Sequence, residues 1–437
     1  MTVLLVDLQV AARNLTRHTL RNALLGAALA MVTGALVLLG ALTDGIEHAM
    51  VQSATTLMTG HVNVGGFFKV TAGSAAPLVS DWPRVLEATR AEVPEIDYVA
   101  VRGRGWTKAV SESASMDLVL GGLDIGKEPG FRKVIIPVEG TLDDLAQPDT
   151  VLLFQGQADR LKVAVGDMLT LSAPTERGVN NTADVRVAVV AKNVGLLSSF
   201  QGFIQGETLR RLYGLNETTT GAIHLYLKEE AAAPVVAARL REKLAAAGWR
   251  VMEPDPQPYW MKLFQTVPSA DWTGQKLDVT TWKDELGQFT QFIFGIRAVT
   301  AIVLILVMAV VLVGILNTLA IAIRERTREI GTLRAIGMQR RKVLWLFVLE
   351  TGLLGLGGSL AGAALASALA GALNAARIAV PEGIQLFLMQ EHLSFLLTPG
   401  AILQRILAVA ALATVASIFP AVRAARLRPV TAMHHIG

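Results

Sequence analysis

Long apolar runs alternate with short basic segments along this 437-residue chain. Four of these runs contain about 20 residues or more, which at 1.5 Å per residue can cross a bilayer core about 30 Å thick. The pattern predicts four transmembrane helices, at residues 21–43, 289–323, 343–376 and 401–422.

The first apolar run could also belong to a cleaved signal peptide, because Arg13, Arg17 and Arg21 precede it. The apolar core of a signal peptide is about 7–15 residues long, and the uncharged run at 22–43 is longer. We therefore expect an uncleaved span. Residues 1–20 carry leucine and alanine at helical spacing, which predicts an amphipathic helix on the cytoplasmic membrane surface.

Arginine clusters indicate the orientation of the spans. They lie near the N-terminus, in segment 324–342 and in the tail 423–437. With four spans, all three clusters fall on one side, and basic segments stay in the cytoplasm. Segment 377–400 lacks such an excess, so we predict a short periplasmic loop there. Arg297 and Arg405 lie near the outer ends of their spans, where long side chains can reach the interface.

The chain between the first two spans, residues 44–288, is predicted to form a large extracytoplasmic domain. Alternating apolar and polar residues, as in HVNVGG, MDLVLGGLDI and VRVAVVAKNV, are typical of strands. A helix-like stretch, AAAPVVAARLREKLAAAGW, follows the later strands. The predicted fold class is therefore an α-helical membrane protein with four transmembrane helices and a large α+β periplasmic domain, in one or two lobes, between helices 1 and 2.

Composition supports a membrane protein. Hydrophobic residues make up 52% of the chain, charged residues 17%, and the mean hydropathy is +0.46. The net charge of +4 could suggest nucleic-acid binding, but the basic residues adjoin the spans, where orientation and lipid headgroups account for them. We expect a lipid-bilayer partner and no nucleic acid. Cysteine is absent, which excludes disulfides and thiolate metal sites.

Enzyme motifs are absent from the sequence. Gly121, Gly126 and Lys127 fit most of a phosphate-binding loop, but Glu128 occupies the position of the magnesium-binding Ser or Thr and would repel phosphate. The seven histidines form no cluster with metal-ligand spacing. We therefore expect no catalytic residue, no metal site and no cofactor bound by this chain.

The third span contains one acidic residue and many small ones. Glu350 lies about two turns into the span, where an ionisable side chain is costly and is expected to find a partner. A structural pairing is the favoured interpretation, and a role in coupling or transport is the alternative. Gly355, Gly358 and Gly362 are expected to let helices approach closely, within the chain or between chains.

Two segments carry a family resemblance. The sequence RTREIGTLRAIGMQRRKVLWLFVLETGLLGLGGSLAG resembles the C-terminal permease module of the MacB/FtsX-like ABC transporters, and FPAVRAARLRPVTAM resembles the end of that family's fourth span. Before the second span, TTWKDELGQFTQF is more similar to the lipoprotein-releasing (LolC/LolE-type) permeases. MacB exporters carry a fused ATPase and FtsX-type permeases a shorter outside domain, which favours the lipoprotein-releasing type.

The resemblance implies that segment 324–342 is a cytoplasmic coupling helix that docks on a separate ABC ATPase. The matching residues are Glu325, Arg326, Glu329, Ile330, Leu333, Arg334 and Gly337. ATP and Mg would be bound by that partner, and a second permease subunit, identical or homologous, would complete the transporter. The implied location is the bacterial inner membrane.

The resemblance leaves three functions open. The first is extraction of lipoproteins from the inner membrane toward the outer membrane, with a periplasmic chaperone as a further partner. The second is MacB-like export of peptides or amphiphiles from the periplasm, with a membrane-fusion protein. The third is an FtsX-like signalling role that controls a cell-wall hydrolase.

Overall fold

The computed structural model describes residues 9–10, 13, 19–71, 74–175, 178–325, 327, 332 and 335–425. The helices are α1 Thr19–Leu57, α2 Trp82–Glu92, α3 Pro129–Val134, α4 Gln155–Leu161, α5 Gly206–Tyr213, α6 Ala233–Ala246, α7 Tyr259–Gln265, α8 Trp282–Glu285, α9 Gly287–Glu325, α10 Arg340–Ala376, α11 Glu382–Leu388 and α12 Pro399–Ala425. The strands are β1 Val62–Thr71, β2 Ser74–Ala76, β3 Ile96–Val110, β4 Ser115–Leu123, β5 Pro137–Gly140, β6 Thr150–Phe154, β7 Met168–Pro174, β8 Asn180–Ala191, β9 Gln201–Gln205, β10 Ala222–Leu227 and β11 Gly274–Thr281.

Two compact units divide the chain. The helical unit comprises Met1–His48, Phe294–Ala379 and His392–Gly437. The sheet unit comprises Ala49–Ile293 together with Val380–Glu391. The second stretch of the sheet unit comes from the segment predicted as a short loop, and it contains helix α11.

The helical unit contains four helices that are long and apolar enough to cross a membrane. They are α1, α9, α10 and α12, which match the four predicted spans in number and order. Its core is formed by leucine, valine and alanine side chains of α1, α10 and α12, together with Ile315 of α9. Most large side chains of α9 stay exposed, as Ile305 and Val310 do, and a bilayer would cover them.

Helix α1 extends well beyond the predicted span. We predicted its end at residue 43, but the helix continues to Leu57. The additional segment contains Asp44, Glu47 and His48, so it lacks the apolar run that marks a membrane-crossing helix. A hydropathy pattern detects only the lipid-facing part of such a helix.

The first lobe of the sheet unit is a four-stranded antiparallel sheet in the order β11–β1–β10–β3. In chain order it reads β1, α2, β3, then β10, α6, β11, which is the split βαβ arrangement of ferredoxin-like folds. Helix α6 packs on β1 and β11 and contacts α2. The segment between β3 and β10 forms the second lobe.

The second lobe is a closed six-stranded barrel. Its strands pair in the cycle β3–β4–β9–β6–β8–β7 and return to β3, with parallel pairing in β4–β9 and β6–β8. Alternate residues point inward, as Leu169, Leu171 and Ala173 of β7 do, and they form the barrel core. Strand β3 is 15 residues long and belongs to both lobes, so it connects them.

Candidate functional site

The coupling segment lies mostly outside the described residues. Arg326, Glu329, Ile330, Leu333 and Arg334 are among the residues that the structure does not describe. Glu325 ends α9 and is exposed. Gly337 has a φ of 104°, a backbone conformation that favours glycine, and Ile336 beside it is 80% exposed.

Three glycines of α10, namely Gly355, Gly358 and Gly362, lie against neighbouring helices. A Cβ on Gly358 would lie 2.8 Å from the Gly26 carbonyl oxygen and 3.0 Å from the Leu29 Cβ, both in α1. A Cβ on Gly362 would collide with the Ala30 carbonyl oxygen of the same helix.

Gly355 of α10 faces α12 instead, where an added Cβ would lie 3.2 Å from the Ala413 Cβ. Glycine at these three positions therefore permits backbone contact between helices, as in small-xxx-small packing. Glu350 of the same helix is buried in the helical unit.

Ion pairs join α1 to two other helices of the helical unit. Arg405 of α12 donates to Asp44 Oδ2 over 3.0 Å, and Arg297 of α9 donates to both carboxylate oxygens of Glu47 over 2.6 and 2.8 Å. The sequence placed both arginines near the outer ends of their spans and predicted that their side chains would reach the interface. The structure gives them specific acidic partners on α1, which hydropathy alone could not identify.

A buried arginine holds the C-terminal end of α1. Arg102 of β3 donates through Nη1 to the carbonyl oxygen of Leu57, the last residue of α1, over 2.9 Å. Its Nε lies 3.0 and 3.1 Å from the carboxylate oxygens of Glu128, and its Nη2 also pairs with Glu128. Both side chains are at most 3% exposed. A positive charge at a helix C-terminus is favourable, and here it also satisfies an orphan carbonyl.

The same arginine lies over two aromatic rings of the barrel lobe. Its guanidinium carbon is 5.7 Å from the centroid of Phe131 and 5.8 Å from that of Phe203, which are within cation–π range. Glu128 belongs to the near match to a phosphate-binding loop, whose Gly121 lies in β4 and whose Gly126 and Lys127 form a short 3₁₀ turn. The acidic residue that excluded phosphate binding therefore has a structural role.

A stacked tyrosine pair also contacts the C-terminal end of α1, through hydrogen bonds from one of its hydroxyls. The hydroxyl of Tyr226 in β10 lies 3.1 Å from the carbonyl oxygens of both Thr55 and Thr59. Its ring stacks on Tyr98 of β3 at 4.2 Å between centroids. Burial raises the pKa of Tyr98 to about 12, so both hydroxyls stay protonated at neutral pH.

The strand that follows α1 and the strand that precedes α9 are neighbours in the sheet. Strands β1 and β11 pair with Val62 opposite Thr281, and the Trp282 N–H donates to the His61 carbonyl oxygen over 3.1 Å. Thr281 and Asp284 then form a capping box at the start of α8, directly before α9. Two membrane-predicted helices are therefore connected through adjacent, hydrogen-bonded strands, and we call this arrangement the helix–sheet junction.

Among the described residues no group of three or more His, Asp or Glu side chains could hold a metal ion. Arg102 and Tyr226 instead donate to backbone carbonyl oxygens at the end of α1, so these buried side chains position that helix. Sequence reasoning missed the junction, because its partners are far apart in the chain and only the paired strands bring them together.

Together these features describe a chain with four helices that are long and apolar enough to cross a membrane, and with an α+β domain connected to the first two of them through adjacent strands. Comparison with known proteins then identifies the C-terminal part: residues 301–429 match the family described as FtsX-like permease, C-terminal. The resemblance to the MacB/FtsX-like ABC permeases is thereby confirmed. The closer resemblance to the lipoprotein-releasing permeases stays a prediction.

Several curated relatives share this C-terminal part. An uncharacterized ABC transporter permease of Methanocaldococcus jannaschii is 30% identical over 145 residues, which cover 33% of each chain. The pyoverdine export ATP-binding/permease protein PvdT of Pseudomonas syringae pv. tomato is 33% identical over 28% of this chain and 16% of its own length. The macrolide export ATP-binding/permease protein MacB of Pectobacterium atrosepticum is 27% identical over 28% of this chain and 17% of its own. The match thus spans between about a sixth and a third of these relatives.

Among solved structures, the extracellular domain of the ABC-type transporter YknZ from Gram-positive bacteria is similar with a TM-score of 0.30 and 13% identity, covering 43% of this chain and 95% of that one. The periplasmic region of MacB from Actinobacillus actinomycetemcomitans is similar with a TM-score of 0.30 and 15% identity, covering 43% of this chain and 85% of that one.

Proposed function

We propose that this chain is the permease subunit of a mechanotransmission-type ABC transporter in a bacterial inner membrane, with the sheet unit in the periplasm. Two such subunits, identical or homologous, would work with two separate cytoplasmic ATPase subunits that bind ATP and Mg. ATP binding would move the coupling segment 324–342, which joins α9 to α10 in the FtsX-like part of the chain.

The observation that carries this proposal is the helix–sheet junction. Strand β1 follows α1 after residues 58–61, and strand β11 precedes α9 with only α8 and Leu286 between them. The two strands are hydrogen-bonded neighbours over residues 62–69 and 274–281. A displacement of either helix would load the same pair of strands, because both connections are short. The hydrogen bond from Arg102 to the Leu57 carbonyl oxygen positions the α1 side of the junction. The capping box at Thr281, at the start of α8, positions the α9 side.

For the substrate we propose lipoproteins extracted from the inner membrane toward the outer membrane, with a periplasmic chaperone as acceptor. The segment TTWKDELGQFTQF, which spans the end of β11, helix α8 and the start of α9, supports this choice by its resemblance to the lipoprotein-releasing permeases.

A second candidate function is export of a peptide or amphiphile from the periplasm. The curated relatives named as pyoverdine and macrolide exporters favour it, since they share the C-terminal segment. An FtsX-like signalling role is a third possibility.

Purification of the chain with its partner ATPase in nanodiscs, followed by mass spectrometry, tests these alternatives. Lipoprotein extraction predicts that acylated proteins copurify and are released on ATP addition to a soluble chaperone. Copurifying unmodified peptides or small amphiphiles would contradict the lipoprotein assignment and support export. If neither copurifies and a cell-wall hydrolase binds stably instead, transport itself would be the wrong assignment.

A further inference from the structure

Within the sheet unit, buried charged side chains connect helix α7 and the residues after it to strands β11 and β1. The Nζ atom of Lys262 lies 3.0 and 2.9 Å from the two carboxylate oxygens of Asp278 in β11, and both side chains are buried. Lys69 of β1 donates to the Val267 carbonyl oxygen over 2.8 Å, just after the helix ends. A seven-residue helix has little stability of its own, so these contacts determine where its remaining side chains lie.

Three side chains of α7 are aromatic and line a cleft: Tyr259, Trp260 and Phe264. Trp106 of β3 lies 6.0 Å from Tyr259 and 6.5 Å from Phe264, between ring centroids. Phe264 is 70% exposed and Trp106 38% exposed. The cleft has a volume of about 260 Å³, and its other lining residues are Met58, Val119, Phe200, Pro258, Trp260, Glu285 and Leu286. Contiguous exposed aromatic residues around a concavity indicate a binding site.

The wall of this cleft favours a hydrocarbon ligand. Its charged side chain, Glu285, already accepts from the Tyr259 N–H over 3.1 Å and from the Thr280 hydroxyl over 2.7 Å. A peptide backbone buried here would leave polar groups without partners, which is costly. A single water needs about 10–15 Å³ of such volume, and a methylene group is similar in size, so the cleft has room for an extended run of methylene groups.

We propose that this aromatic cleft binds an acyl chain of a lipid-modified protein, an inference that rests on the proposed extraction function. Its position in the chain supports the assignment. Met58 directly follows α1, and Leu286 directly precedes α9, so the cleft includes residues that connect both helices to the sheet unit. An acyl chain seated there would be held by the same elements that the helix–sheet junction moves.

Photo-crosslinking of the full chain in nanodiscs tests the proposal. The probe is a dipalmitoylated lipopeptide with a diazirine in one acyl chain, and mass spectrometry locates the adducts. We expect adducts on cleft residues, with a yield about tenfold lower in Phe264→Ala and Trp106→Ala, since aromatic anchors dominate such contacts. Phe264 is largely exposed, so its truncation should leave folding intact. Val235→Ala, at a position 69% exposed on α6 outside the cleft, is the control and should not change the yield.

The proposal would be overturned if no adducts formed on cleft residues. It would also be overturned if both cleft variants gave the same adduct yield as the parent. Equal competition by the same peptide without acyl chains would also overturn it, because a polypeptide would then be the occupant. The experiment needs neither ATP nor an ATPase, so its failure is distinguishable from failure of the transport assignment. If cleft adducts form but ATP releases no lipoprotein from the complete transporter, the proposed function would fail while the cleft proposal stands.

Discussion

Replacing Arg102 with Met should strongly destabilise the sheet unit. The side chain is 3% exposed, and its loss would leave Glu128, which is 2% exposed, as an unpaired buried carboxylate. Breaking a buried ion pair from one side commonly costs about 3–5 kcal/mol. The Leu57 carbonyl would also lose its donor, although the two effects are not additive. Against a typical stability of about 5–15 kcal/mol, this loss is large.

Denaturant unfolding monitored by tryptophan fluorescence measures this effect. Six of the seven tryptophans lie in the sheet unit, so the signal reports mainly on that unit. The matched control is Arg102→Met combined with Glu128→Leu, which removes both charges and should be more stable than the single variant. The reasoning would be refuted if Arg102→Met lost less than about 1 kcal/mol, or if the double variant were no more stable than the single one.

Three further predictions concern topology, packing and pH. Cysteines introduced at Ser172 and Gln339 should label oppositely with a membrane-impermeant maleimide, and labelling of position 339 from outside intact spheroplasts would end the four-span topology. Gly358→Leu should prevent normal assembly by size-exclusion chromatography, because its Cβ would press on α1, whereas Gly357→Leu, which has no atom within 4 Å of an added Cβ, should behave like the parent. Burial raises the pKa of Asp278 to about 6. The native state therefore binds the carboxyl proton more tightly than the unfolded chain does. The stability that this proton contributes is lost as pH rises through 6. The stability of Asp278→Asn relative to the parent should therefore increase between about pH 4 and pH 7, and a difference independent of pH would contradict this.

The sequence predicted the number and order of the four long apolar helices, because long uncharged runs are a local property. It did not predict the extension of α1 to Leu57, where polar residues such as Thr55 replace the apolar run. In segment 377–400 the structure has helix α11, and Glu391 just beyond it pairs with Lys192 of the sheet unit over 2.7 Å. The short length and mixed composition of that segment gave no signal for a docked helix.

The sheet unit was predictable in content but not in connectivity. Alternating patterns located strand-like segments, yet barrel closure depends on β7 pairing with the distant strand β3. Such a pairing is determined by packing between distant segments, and a periodicity pattern does not predict which strands pair. Arg102 shows the same limit, because its partners are 26 and 45 residues away in the chain.

The glycines of α10 represent an intermediate case. Their spacing predicted close helix packing, and the structure places Gly358 and Gly362 against α1 and Gly355 against α12. Which helix each glycine contacts was not readable from the sequence, because a small-residue pattern describes only one side of an interface.

The most direct test of the account is whether the coupling segment connects this chain to an ATPase. The measurement is copurification of the partner ATPase, and its stimulated activity, with Leu333→Asp and Ile336→Asp variants. A charge placed in an apolar contact should reduce binding by about tenfold or more, while membrane insertion stays normal. The control is the swapped pair Lys192→Glu with Glu391→Lys in the sheet unit, which should leave ATPase binding unchanged. Full ATPase binding and full stimulation in both segment variants would contradict the assignment of this chain as an ABC permease that works through that segment.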